Sequence, residues 1–278
     1  MQMRCAWKEL LAVLPQWMRM DVDRLSKDTL QELRLRINAP PELVLDGHAA
    51  WLERCVSSED LQFCVHAASQ YSPWAAESAA QGYITAPGGH RIGLCGETVI
   101  HNGTVTGIRT LSSLCIRVAR DFPGISNGFK PVDSLLILGA PGWGKTTLLR
   151  DIARTVAQSD TVAVVDERGE LYPKGFQKGM RMDILTGCPK DQGIERVLRT
   201  MGPEWIAVDE ITAQQDCNAI AHAFGCGVRF LATVHAASIE DYLSRCVYSL
   251  LKDNGVFTQF LILNKRKQWR LERVSGCR

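Results

Sequence analysis

One stretch limits what this chain can fold into more than any other: Leu135 to Arg150, which reads LLILGAPGWGKTTLLR. Leu135, Leu136, Ile137 and Leu138 run into a turn of Gly139, Ala140, Pro141, Gly142, Trp143 and Gly144. Lys145, Thr146 and Thr147 follow, and then apolar residues at helical spacing: Leu148, Leu149, Ile152, Ala153 and Val156. A short apolar run bounded by glycine reads as a buried strand, so the stretch predicts strand, glycine loop and helix start. The loop fits G-x-x-x-x-G-K-[ST] from Gly139 to Thr146. Glycines let the backbone turn its amides inward, and the helix that follows adds unpaired N–H groups and a positive dipole end. That is a cradle for phosphate, with Gly139 through Thr147 as its candidate lining. Lys145 supplies charge for the β- and γ-phosphates of ATP, and the Thr146 hydroxyl is placed to bind a bridging Mg²⁺. The bland alternative is a chance glycine turn, and the strand before it and helix after it weigh against that.

Such a loop needs a second acid from the carboxyl end of a nearby strand. Trp205-Ile206-Ala207-Val208 ends in Asp209 and Glu210. Asp209 is the candidate metal ligand, and Glu210 the candidate base that orients and deprotonates water. Adjacent acids of this kind argue for ATP hydrolysis; the guanine-reading N-K-x-D pattern is absent, because Asn264-Lys265 is followed by Arg266 and Lys267. The run Val164-Val165-Asp166-Glu167-Arg168 ends another strand. Glu167 reads as an accessory base or water positioner and Arg168 as a charge partner, or equally the cluster reads as surface charge at a strand end. His235 closes the strand FLATVH, where an imidazole is placed to sense the γ-phosphate, although a lone histidine there is more often structural. His222 and Cys226 do not make a metal site by themselves.

Beyond the loop region, strands alternate with helices, the signature of a mostly parallel sheet. The expected strands are Leu135–Gly139, Thr161–Asp166, Trp205–Asp209, Arg229–His235 and Thr258–Leu263, with a helix started by a capping box at Ser238 and Asp241. Upstream, residues 1–128 read as a smaller α+β domain built for subunit contacts. A helix is expected over Ala6–Met20, a half-buried strand over Glu32–Ile37, and another helix at the capping box of Ser57 and Asp60. Hairpins pivot on Pro87-Gly88-Gly89 and on Asn102-Gly103, and SLCIRVAR forms a further strand. The turn-rich Asp121–Ser134 divides this domain from residues 129–278. Arg91, Arg109, Arg117 and Arg120 fall in the hairpin region; Arg91 and Arg117 are the candidates to reach a neighbouring subunit's nucleotide, and surface charge is the alternative.

A net charge of +2 gives no global field for nucleic acid or an anionic membrane. The Lys265–Arg270 run reads first as a solvated edge, with nucleic acid or lipid headgroups second. The ten cysteines show no C-x-x-C spacing, which fits free thiols in a reducing cytosol. No run of 18 apolar residues occurs and the N-terminal stretch lacks a signal-peptide core, so a cytoplasmic protein that does not itself cross a membrane is expected.

With these residues in view, the chain resembles the stage III sporulation AA proteins, relatives of hexameric secretion and pilus-retraction ATPases. ELRLRINAPPELVL and GYITAPGGHRIGLCGETV are similar to that family's first domain. GAPGWGKTTLLRDIAR, VVDERGELYP, MGPEWIAVDEI and GCGVRFLATVHAASIEDYL are similar to its second. Asp166 with Glu167 matches the acidic box of the secretion ATPases, and Thr233 with His235 their histidine box, which moves His235 towards function. Gly169 and Thr212-Ala213 depart from residues common in the family. The resemblance implies an α/β fold, with a RecA-like P-loop domain after a smaller α+β domain. It also implies a homo-oligomeric ring of hexamer size, hydrolysing ATP with Mg²⁺ in the mother-cell cytoplasm. There it would be peripheral to the membrane, on a channel complex. A nucleic-acid-stimulated motor and a module that holds ATP without turnover remain the other readings.

Overall fold

The computed structural model describes residues 3–25, 27–46, 48–69, 82–173 and 175–274. The chain divides into two units, one of Met3–Asp121 with Pro173–Phe176, the other of Phe122–Tyr172 with the residues from Gln177 onward. The turn-rich stretch after Asp121, which the sequence splits at 128/129, therefore lies with the second unit. A buried carboxylate holds it there: Asp151 accepts from Gly124 N at 2.8 Å, and from Ser126 N at 2.8 Å and Oγ at 2.6 Å. Arg154 balances that charge at 2.7 Å.

In the first unit, β1 (Arg4–Cys5) precedes α1 (Trp7–Val13) and α2 (Gln16–Asp23). The sequence predicts one helix here. Pro15 divides it, because proline has no N–H to donate and drives the preceding residue out of the helical region; Leu14 is extended, with φ −85° and ψ 148°. Then come β2 (Glu32–Arg36), β3 (Glu42–Leu45), β4 (His48–Trp51), α3 (Ser58–Ser69), β5 (Tyr83–Thr85), β6 (Arg91–His101), β7 (Thr104–Arg117) and β8 (Arg120–Asp121). The box before α3 closes in both directions, Asp60 N to Ser57 Oγ at 3.2 Å and Ser57 N to Asp60 Oδ2 at 2.9 Å. TVTGI and SLCIRVAR do not form separate strands. They run together in the 14-residue β7, whose hairpin with β6 absorbs three register shifts instead of a break. The six strands are ordered β4-β3-β2-β7-β6-β5, all antiparallel. Leu33, Leu35, Ile92 and Ile116 turn inward to a core with Leu10, Met18 and Leu61.

The second unit contains β9 (Leu135–Leu138), α4 (Lys145–Val156), β10 (Val162–Asp166), β11 (Met182–Thr186), α5 (Lys190–Met201) and β12 (Trp205–Val208). It continues with α6 (Gln214–Gly225), β13 (Arg229–Val234), α7 (Ile239–Ser244), α8 (Ser249–Asp253), β14 (Gln259–Leu263) and β15 (Trp269–Arg273). The sheet order is β11-β10-β12-β13-β9-β14-β15, parallel except for the β14–β15 hairpin. This is the expected α/β fold with a mostly parallel sheet. Helix α4 covers one face through Leu148, Leu149 and Ile152. Helices α5 and α6 cover the other through Ile194, Val197, Ile220 and Ala223. The two edge strands, β11 and β15, are additions to the expected set. Neither carries a continuous apolar run, since each has a neighbour on one side alone. Lys265–Gln268 are exposed, as a solvated edge would be, and form the turn into β15, where Asn264 Oδ1 accepts from the amides of Arg266 and Gln268.

Candidate nucleotide site

Parallel pairing sets the carboxyl ends of β10, β12, β13 and β9 along one edge of the second unit's sheet. The phosphate loop leaves β9 there. Gly142 and Gly144 adopt φ of 77° and 98°, a region that side chains resist, and a Cβ on either would meet open space. Helix α4 starts at Lys145 with no side-chain cap. Among the described residues, no acceptor engages the amides of Gly142, Gly144, Lys145, Thr146 or Thr147. Unpaired donors around an open concavity fit an anion. Trp143 packs with Leu263 in the core beneath.

Lys145 is 6% exposed, and its Nζ reaches Ala140 O at 3.1 Å and His235 Nδ1 at 2.8 Å. Burial pushes its ammonium below the ordinary lysine value, with Asp209 and Glu210 opposing. Because an ammonium only donates, His235 Nδ1 accepts, and the Nε2–H is left to donate to Glu210 Oε1 at 2.8 Å. Arg168 takes the other oxygen of Glu210 at 3.1 Å. Lysine, imidazole, carboxylate and guanidinium thus form one continuous chain. Beside it, Thr146 Oγ1 donates to Asp209 Oδ2 at 2.7 Å. A hydroxyl and a carboxylate in contact suit Mg²⁺, which takes one or two protein oxygens together with phosphate and water. Among the described residues, no cluster of three or more His, Cys, Asp or Glu is arranged to hold a metal alone.

The two residues matched to the acidic box line one small cleft with Asp209 and Glu210, each engaged by partners of its own. Asp166 accepts from the backbone amides of Glu170, Leu171 and Tyr172, and burial raises its carboxyl above the usual range. Glu167 is held by Lys190, while lining the same small cleft as Asp209 and Glu210. Arg91 and Arg117 belong to the first unit, where they stand opposite each other on β6 and β7. Arg91 lies 4.2 Å over the Tyr83 ring, and Arg117 is 3.5 Å from Glu32. Sequence reasoning gave Arg168 no particular target and Thr233 no hydrogen bond. A signal for the latter existed: a hydroxyl inside the apolar run of β13 must find partners. Lys190, at a helix start, carries none.

Similarities to known proteins bear on this geometry. A structure of the ATPase DotB from Legionella pneumophila covers 94% of this chain and 80% of its own at TM-score 0.60 and 15% identity. A structure of the pilus retraction motor PilT with bound ADP covers 93% and 83% at TM-score 0.63 and 13% identity. At such identities the likeness shows the fold, that of the P-loop ATPases. Stage III sporulation protein AA of Bacillus subtilis is 34% identical over 280 residues, covering 93% of this chain and 91% of that protein. The model of the family described as sporulation stage III, protein AA, matches residues 7–276. The chain belongs to that family.

Proposed function

We propose that this chain hydrolyses ATP with Mg²⁺, as a ring of identical subunits that energises a membrane channel complex during sporulation. One observation carries the reading: the phosphate loop, the Thr146–Asp209 pair and Glu210 converge at one sheet edge. The loop amides and Lys145 stabilise charge on the β- and γ-phosphates. Thr146 and Asp209 hold Mg²⁺, which neutralises phosphate charge when bound. Glu210 orients the attacking water and takes its proton, its carboxylate steered from both sides by His235 and Arg168. Glu167 assists through the shared cleft. Arg91 and Arg117 of one subunit complete the charge at another's nucleotide. Family membership supports work in the mother-cell cytoplasm, peripheral to the membrane, and among the described residues no helix is long and apolar enough to cross one.

The test is phosphate release from ATP across a protein concentration series, for wild type, Lys145→Ala and Glu210→Gln. Specific activity is expected to climb with concentration, and both folded variants to lose on the order of 10²-fold or more. Wild-type turnover by a folded Lys145→Ala protein would end the reading. Specific activity independent of concentration would remove the ring. Tight ATP binding with no release by any of the three proteins would favour a module that only holds nucleotide.

A further inference from the structure

We propose that Thr233, on β13, is the positioning residue that sets the directions of both Asp209 and Glu210. The inference rests on the ATPase reading of the site and gives a role to a side chain that bonds Asp209 and the Glu210 amide.

Thr233 is fully buried between Ala232 and Val234 on the strand, so its hydroxyl must be satisfied internally. It is satisfied twice. Its Oγ1 donates to Asp209 Oδ1 at 2.6 Å and accepts from Glu210 N at 2.8 Å. Its carbonyl accepts from Ile211 N at 2.9 Å. One residue therefore holds three consecutive positions of the turn after β12.

That turn needs holding. Glu210 has φ of 57°, left-handed backbone that strains a residue with a Cβ. Such strain persists only where the surroundings dictate it, and Thr233 Oγ1 is the acceptor that fixes the Glu210 amide. The Asp209 carboxylate is fixed from two sides as well, with Thr146 on Oδ2 and Thr233 on Oδ1. Two donors on opposite oxygens fix the plane of a carboxylate, and so the direction of the lone pairs left for a cation. Two residues further on, His235 grips the Glu210 side chain, so the end of β13 positions this acid through both backbone and carboxylate.

Thr233→Val keeps the shape and removes the hydroxyl, whereas Thr233→Ser keeps the hydroxyl. Three readouts are taken on the full chain: ATP turnover against Mg²⁺ concentration, binding of a fluorescent ADP with and without Mg²⁺, and amide hydrogen exchange at Glu210 and Ile211. Thr233→Val is expected to lower turnover by about 10–100-fold and to raise the Mg²⁺ requirement by about tenfold. It should speed exchange at the Glu210 amide, which loses its acceptor, more than at Ile211, whose carbonyl partner valine keeps, and leave ADP affinity without Mg²⁺ unchanged; Thr233→Ser should return each readout to within a few fold of wild type. Wild-type Mg²⁺ dependence and exchange in Thr233→Val overturn the proposal, as does a Thr233→Ser protein no better than Thr233→Val, which would mean packing alone. If wild type neither turns over ATP nor binds ADP more tightly with Mg²⁺, the ATPase reading falls and takes this role with it. The exchange data still report on the hydrogen bonds themselves.

Discussion

Strand β13 of the second unit sends Phe230 into the core under α5 and α6 and the next residue, Leu231, into the core under α4. Strand β2 of the first unit sends Leu33 and Leu35 into one core, while Arg34 and Arg36 between and beyond them face water. A parallel sheet with helices on both faces has no face left for display, so it can offer side chains to a ligand only at its ends. Every group argued for ATP chemistry in that unit sits at a strand end, in the loop after one, or in the first turn of the helix that follows. An antiparallel sheet with one bare face instead displays along its whole surface, and here it shows a ladder of charge. Arg91 stands opposite Arg117, which is a repulsive pairing, and Arg117 stands opposite Glu32, which offsets it. The first unit thus displays a charged face, and the second an edge suited to a small anion.

The sharpest way to break this contrast is to truncate a buried residue on each side of it. Phe230 is fully buried, and Phe230→Ala should cost about 3–5 kcal/mol by urea denaturation. Leu231→Ala, one residue on but facing the opposite core, should cost about 2–5 kcal/mol. Strong losses at both neighbours mark a sheet dry on each face. A loss under about 1 kcal/mol at either would mean that face is not sealed.

The same contrast decides what could be read from the amino-acid order. Continuous apolar runs ending in glycine or acid, such as Leu135–Leu138 and Trp205–Val208, announce fully buried strands, and the segments just after them, carrying Lys145, Asp209 or Glu210, announce their chemistry through residue type. Alternation in Glu32–Arg36 announces a half-buried strand. The edge strands β11 and β15 announce nothing, because one-sided pairing leaves them with mixed composition. The Pro15 break is legible once proline's missing donor is weighed against an otherwise helical pattern. What no pattern carries is pairing between distant segments. That Arg168 meets Glu210, that Lys190 takes Glu167, and that Asp166 turns to the 170–172 amides all follow from sheet order, which one sequence does not state.

The first unit carries an acid sensitivity built into its core. His90 is fully buried, its Nε2 donating to Ala6 O at 2.9 Å and its Nδ1 accepting from Ala119 N at 3.1 Å. Both roles are filled by the neutral ring, and burial lowers its pKa below the ordinary 6.5. With a depressed folded-state value, the unfolded chain binds the proton first as pH falls. The stabilisation is therefore complete above about pH 6.5 and is lost below it at up to about 1.4 kcal/mol per pH unit. Denaturant midpoints of wild type and His90→Gln between pH 7.5 and 5 give the check. The variant should be less stable at neutral pH and should lack this part of the acid loss, so two parallel profiles would remove His90 as the cause.

The smallest expected effect tests the bare face directly. Arg34 lies 2.9 Å from Glu32, its side chain 44% exposed, and it sits beside Leu35, which is fully buried. Because an exposed ion pair gains little against its own hydration and side-chain entropy, Arg34→Ala should cost about 0.2–1 kcal/mol, and less as salt rises. Leu35→Ala, one residue away, should cost about 2–5 kcal/mol at any salt concentration. A double-mutant cycle with Glu32→Ala separates the pair's own contribution from loss of the arginine stem's packing. If Arg34→Ala costs more than about 2 kcal/mol and salt leaves that cost unchanged, the pair is shielded from water. The face would then be covered in solution by something that the isolated chain does not contain, and the contrast between a displaying sheet and a sealed one would have to be redrawn around that cover.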